Sequence, residues 1–180
     1  MDTQTGNKTE NQKNIFLIGF MGCGKSTVAE TFSKNYEKKI VEMDQLIVER
    51  ELMSIPEIFA VKGESYFRDI ESKLVTEIQN TKNQVISCGG GVVLRSENVD
   101  EMKKNGYVVL LTAKPETILE RVKDDENRPL LKGKKTVKDI SELMENRRER
   151  YENAADIVIY TDEKSVQDIC KEILIKLEQL

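Results

Sequence analysis

An α/β fold, a five-stranded parallel sheet with helices on both faces, follows from two features of this sequence. Five short apolar runs, at 15–18, 39–43, 84–88, 107–111 and 156–160, alternate with stretches whose apolar residues recur every three or four positions. Such alternation gives parallel strands joined by right-handed helical crossovers, in three layers. The first run also leads straight into Gly19-Phe20-Met21-Gly22-Cys23-Gly24-Lys25-Ser26 and then into Thr27-Val28-Ala29-Glu30. Strand, glycine loop and helix therefore stand in register at the carboxyl end of a strand, where open α/β sheets place their ligands.

The elements can be justified in order. Residues 1–13 are polar and carry both charge signs, so they read as a flexible tail before a single domain over 14–180. After the first helix, Lys39 to Met43 makes a strand that ends in acid, and Asp44 opens a helix through Glu49. Ser54-Ile55-Pro56-Glu57 has the spacing of a capping box, with Pro56 tolerable in a first turn, so a short helix covers Glu57 to Val61 and stops at Gly63. Phe67, Ile70, Leu74 and Ile78 form the apolar face of the next helix, with Arg68 on its flank. The strand at 84–88 runs into Gly89-Gly90-Gly91, where the backbone must bend sharply or be packed against closely. A polar helix over 96–105 precedes the strand at 107–111, and Pro115 starts a helix through Val122. Residues 123–135 are charged and aperiodic, the composition of a lid. Thr136 caps a helix to about Asn153 whose stripe holds Ile140, Leu143, Met144 and Tyr151; Val166, Ile169, Ile173 and Leu177 line the last helix.

Composition narrows the function. A chain of 180 residues with 38% hydrophobic residues suits one core, and a net charge of −4 supplies no general field for nucleic acid. The N-terminal segment has no apolar core of a secretory signal, and no run approaches the ~18 residues of a membrane span. Three cysteines are too few for a disulfide framework, so a cytoplasmic protein is expected; a monomer with a small-molecule substrate, without nucleic-acid or membrane partners, completes the expectation. With no histidine in the chain, carboxylates, lysine and arginine must carry any chemistry.

The pattern G-x-x-x-x-G-K-S binds the phosphates of a nucleoside triphosphate, because its backbone N–H groups curl around the anion at a helix N-terminus. Gly22, Cys23, Gly24, Lys25, Ser26 and Thr27 are the phosphate-binding set, with Lys25 on the β/γ-phosphates and Ser26 on Mg²⁺. Asp44 suits a carboxylate that engages an attacking hydroxyl, although an Asp before a helix is often only its N-cap. The strand at 85–88 lacks a closing acid for the metal, so Glu42 and Asp44 are the best substitutes, through metal-bound water. Arg147 points along the buried stripe of its helix, where a guanidinium needs an anion, either a ligand or a core carboxylate. Arg128, before Pro129 in the lid, could close over the transferred phosphate.

In order and spacing, this phosphate loop, Glu42-Met43-Asp44, Phe67-Arg68-x-x-Glu71, the triple glycine, Arg128-Pro129-Leu130-Leu131, and Arg147 followed by Tyr151 resemble the shikimate kinase family over about residues 14–180. The resemblance implies a nucleoside-monophosphate-kinase-like fold with strand order 2-3-1-4-5, and transfer of the ATP γ-phosphate to the 3-hydroxyl of shikimate, with ATP and Mg²⁺ as cofactors. It implies that Asp44 contacts the substrate hydroxyls and that Arg68 and Arg147 hold its carboxylate. The Gly89, Gly90 and Gly91 backbone would lie along the substrate, with Lys25, Asp44 and Arg128 as the catalytic set and Arg121 beside adenine. The family usually has Asp-x-Asp where this chain has Glu42-Met43-Asp44. Rival readings are a gluconate kinase, a nucleoside monophosphate kinase and a nucleotide switch. One expectation goes beyond the family: Cys23, at a helix N-terminus beside Lys25, suits a reactive thiol able to cross-link to Cys88, although two small residues packed where larger ones would crowd the loop is the commoner arrangement.

Overall fold

The computed structural model describes residues 12–123 and 136–180. The tail up to residue 11 lies outside the described residues, as do Arg128 and all of the expected lid beyond Lys123. Strand β1 (Asn14–Ile18) is buried at every position, as a strand apolar on both faces must be, and it takes the centre of the sheet. β3 (Gln84–Ser87) and β4 (Gly106–Thr112) flank it, and β2 (Lys39–Glu42) and β5 (Ile157–Tyr160) form the edges. All pairings are parallel, and the order β2-β3-β1-β4-β5 is the one the family resemblance implied.

Alternation along the strands divides the core. Ile15, Leu17, Val85, Val109 and Leu111 face one layer, packed with Val28 and Phe32 of α1 (Lys25–Tyr36), Ile118 of α5 (Pro115–Val122) and Ile169 and Ile173 of α7 (Val166–Leu177). Phe16, Ile18, Ile86, Val108 and Leu110 face the other, with Ile47 of α2 (Met43–Glu51), Leu74 and Ile78 of α3 (Ile55–Gln79) and Met102 of α4 (Ser96–Lys104). Each such side chain, fully buried, stabilises the fold by about 1.5–3 kcal/mol. Helix α6 (Val137–Ala154) serves both layers, sending Ile140 to the first and Tyr151 to the second.

The helix starts follow the sequence. Ser54 and Glu57 form the expected capping box on α3, Thr136 and Asp139 form another on α6, and Pro115 occupies the first turn of α5. Three details differ from expectation. Residues 55–79 are one helix in hydrogen-bonding terms, with the break at Gly63 (φ 84°, ψ 166°) surviving as a kink inside it. A 3₁₀ turn at Val92–Leu94, which has no periodicity long enough to read, follows the glycines. Asp44 is the second residue of α2, after Glu42 at the N-cap position and Met43, so it lies inside the first turn. At the opposite end of the sheet the boundary of the tail is tied in, because Asn83 N donates to Gln12 O (2.7 Å) and Lys38 Nζ to Lys13 O (3.3 Å).

Candidate active site

Register sets the site. Glu42 of β2 and Leu17 of β1 both pair with Ser87 of β3, so these three strands end level, and the loop after β1, the first turn of α2 and the triple glycine open onto one edge. There they line a cleft of about 980 Å³, together with Arg68 and Glu71 of α3, Arg121 of α5 and Arg147 of α6.

The phosphate side is a single loop. Gly22 (φ 76°) and Gly24 (φ 96°) are left-handed, and Gly24 caps α1, which turns the N–H groups of the helix start toward the cleft. Lys25 Nζ donates to the carbonyls of Gly19 (2.9 Å) and Phe20 (3.1 Å), so its charge rests on its own loop. Thr27 is exposed on the first turn of α1 and also lines the cleft. Arg121 joins this loop to the segment after β5: Nη1 donates to Gly22 O (3.1 Å) and to Thr161 Oγ1 (3.1 Å), and Nη2 reaches Thr161 O (3.4 Å).

Beside the loop, Ser26 Oγ donates to Glu42 Oε2 (3.0 Å) and lies 3.3 Å from Ser87 Oγ. Burial pushes the Glu42 carboxyl above its ordinary range, and the hydroxyls of Ser87 and Ser26 pull it partly back. The other oxygen, Glu42 Oε1, is buried with no hydrogen-bond partner among the described residues. Those residues hold no cluster of three or more carboxylates or cysteines that could cage a metal. A hydroxyl, one carboxylate and an unsatisfied oxygen suit instead a hard cation that keeps most of its water, so the donor set fits Mg²⁺.

The opposite side of the cleft is assembled from distant elements. Arg68 is held between Glu71 Oε2 (Nη1, 2.8 Å) and Glu64 Oε1 (Nη2, 3.1 Å), with only 13% of its side chain exposed, so it is far less solvated than a helix-flank position suggests. Glu71 is 1% exposed, and burial raises its carboxyl to about 7; Arg68 opposes the shift and Asp44 adds to it. Its second oxygen, Oε1, is buried without a partner. A methyl group on Gly89 would lie 2.8 Å from both this oxygen and Asp44 Oδ1, so the two carboxylates meet over a bare backbone. Likewise a methyl on Gly91 would lie 2.2 Å from Arg68 Nη1, whereas one on Gly90 would find ordinary contacts at 3.8 Å or more. Close approach at Gly89 and Gly91, with no left-handed backbone at either, is the physical reason for two of the three glycines. Arg147 has no carboxylate partner among the described residues; its Nη1 donates to Gly90 O (3.2 Å), where Tyr151 Oη also donates (2.5 Å).

The structure thus gathers every sequence-derived site residue within the described segments around one cleft, and Arg128 is the one outside them. Sequence reading gave no role to Ser87, Glu71, Tyr151 or Thr161. Ser87 could have been suspected as the residue standing where a strand-end acid was sought; nothing local marks Thr161. Of the two readings of the cysteines, packing holds and the reactive, cross-linking pair does not. Cys23 is 0% exposed and packs in the first core layer, while Cys88 is buried in the second, on the other face of the sheet. Burial also raises the Cys88 thiol far above its usual range, which keeps it protonated and inert.

Comparison with known proteins agrees with this geometry. The family model described as shikimate kinase matches residues 21–178. The chain belongs to the shikimate kinase family. A shikimate kinase of Persephonella marina is 46% identical over 90% of this chain and 97% of its own length, and one from a Sulfurihydrogenibium species is 44% identical over 93% and 99%. The solved shikimate kinase of Acinetobacter baumannii in complex with shikimate superposes with a TM-score of 0.87 at 30% identity, covering 94% of this chain and 95% of that one. As a family member the protein is an ATP-dependent small-molecule kinase that works with Mg²⁺. None of the described helices is long and apolar enough to cross a membrane.

Proposed function

We propose that this cleft transfers the γ-phosphate of ATP to the 3-hydroxyl of shikimate, giving shikimate 3-phosphate and ADP, in the pathway to chorismate and the aromatic amino acids. The observation that carries the reading is the pairing of a phosphate loop with two cleft-lining arginines, Arg68 and Arg147, across the triple glycine. An anionic acceptor accounts for Arg147, which has no carboxylate partner among the described residues, because a guanidinium stays charged and needs an anion.

In this reading the N–H groups of Gly22, Cys23, Gly24, Lys25, Ser26 and Thr27 hold the β- and γ-phosphates. Lys25 exchanges its loop carbonyls for phosphate oxygens, and Arg121 lies beside the adenine. Ser26 would ligate Mg²⁺ directly and Glu42 through its water shell, and the cation would offset charge on the phosphates. Asp44 accepts the hydrogen bond of the attacking hydroxyl and orients it in line with the γ-phosphorus. Arg147 and Arg68 hold the acceptor carboxylate against the backbone of Gly89, Gly90 and Gly91. Arg128, from the lid, closes on the transferring phosphoryl group. The protein acts as a cytoplasmic monomer, in a single domain over 14–180.

Release of ADP measured with shikimate, gluconate, AMP or no acceptor tests the assignment. Shikimate alone should support turnover. Equal turnover with gluconate, or equal ADP release without an acceptor, would replace the reading with that of a related kinase or a nucleotide hydrolase.

A further inference from the structure

The Gly90 carbonyl is handled differently from its neighbours. In the turn after β3, Val92 N donates to Gly89 O (3.1 Å) and Leu94 N to Gly91 O (3.0 Å), so the backbone satisfies the carbonyls on either side. Gly90 O is passed over, and its donors are two side chains of α6, Arg147 Nη1 at 3.2 Å and Tyr151 Oη at 2.5 Å. These residues are four apart on one helix face, so the two side chains converge on one oxygen. The tyrosine is fixed: its ring is 4% exposed and packed in the second core layer. Burial raises its hydroxyl to about 12, so it remains a donor throughout the working pH range. The arginine, partly exposed and with four further donors, has no ion pair among the described residues to hold it.

We infer that Tyr151 is a positioning residue for the acceptor, which keeps the Gly90 carbonyl satisfied while Arg147 leaves it for the acceptor carboxylate. The argument concerns the two states of the cleft. Before the acceptor binds, the carbonyl has a donor to spare. When the guanidinium turns to a carboxylate, a charge-assisted bond replaces a weaker one. Without Tyr151 that exchange would strand a part-buried carbonyl, which subtracts from binding. Tyr151 therefore matters only in the complex, and its removal is nearly silent in the empty protein, where Arg147 still covers the oxygen. The inference rests on the proposed contact of Arg147 with the acceptor carboxylate.

Tyr151→Phe keeps the ring in the core and removes the hydroxyl alone. The KM for shikimate should rise about fivefold, from the loss of one hydrogen bond to a part-buried group, with kcat and the KM for ATP within about twofold of the parent. The melting temperature of the ligand-free variant should stay within a few degrees of the parent. Arg147→Ala should also leave the ligand-free melting temperature nearly unchanged, because Tyr151 then covers the oxygen alone. The double variant Arg147→Ala/Tyr151→Phe strips both donors, and its melting temperature should fall by more than the sum of the single changes. If Arg147→Ala raises the KM for shikimate and Tyr151→Phe does not, the inference is wrong and the acceptor contact stands. If Arg147→Ala leaves that KM unchanged, the acceptor contact itself is wrong. A large drop in melting temperature for Tyr151→Phe alone would make the hydroxyl a simple structural prop and overturn the inference.

Discussion

The two ends of the cleft hold their cations in different ways. On the phosphate side Lys25 rests on carbonyls of its own loop, five and six residues away in sequence, and the glycines that shape the loop are its neighbours. On the acceptor side Arg68 is gripped by Glu71 and Glu64 of its own helix, while Arg147 reaches a single carbonyl 57 residues distant. A cation on neutral carbonyls can change partners easily, since the bonds it gives up are weaker than the charge-assisted ones it gains. One paired with a buried carboxylate cannot, because its departure would leave that charge unpaired. Lys25 and Arg147 are therefore the movable cations of the site, and Arg68 with Glu71 is the fixed frame against which, in the proposed function, the acceptor is held.

Four changes would break or sharpen this contrast. The largest effect belongs to Lys25→Met, which should lower kcat by on the order of 10³ while leaving the KM for shikimate within a few fold, since in the proposed function its charge faces the transferring phosphoryl group. Steady-state kinetics in both substrates decides this. Next, Arg147→Ala should raise the KM for shikimate by the value of a charge-assisted pair, roughly 1.5–3 kcal/mol, with a small effect on kcat. Gly89→Ala comes third. Its methyl would press on Asp44 Oδ1 and Glu71 Oε1 at 2.8 Å, so activity should fall by an amount set by ~1–3 kcal/mol of overpacking. Gly90→Ala, with contacts at 3.8 Å or more, is the control that should retain most activity.

The smallest effect tests the fixed frame. Glu71 has its carboxyl raised to about 7 in the folded protein, above the ordinary 4.5, so the unfolded chain releases this proton first as pH rises. The ionised folded form is the disfavoured one, and the contribution of Glu71 to stability declines from pH ~4.5 to ~7. Thermal unfolding of the parent and of Glu71→Gln across this range should show the parent losing stability relative to the variant as pH increases. Parallel curves would mean that Glu71 ionises normally beside Arg68.

How much of this was legible in the sequence divides along the same line. The phosphate side is contiguous, so the strand, the two left-handed glycines and the lysine appear as one motif, although its helix starts at Lys25, two residues before the helical run at Thr27. The capping boxes at Ser54 and Thr136 were equally readable, whereas the strand order came from the family resemblance and not from any local pattern. Arg147 could be singled out because the stripe of its helix is apolar, yet its partner is a backbone carbonyl, which no side-chain pattern encodes. The environment of Glu71 depends on how closely α2, α3 and the triple glycine approach, a distance set by packing of the second core layer. For the same reason Cys23 and Cys88, neighbours at one sheet edge in a strand diagram, prove to lie on opposite faces.

Crossed binding measurements test the central claim, that the cleft has separate movable cations for phosphate and for acceptor. Titration calorimetry of ADP and of shikimate into the parent, Lys25→Met and Arg147→Ala proteins should show Lys25→Met weakening ADP alone and Arg147→Ala weakening shikimate alone. Equal weakening of both ligands by either variant would contradict the division of the site into two ends.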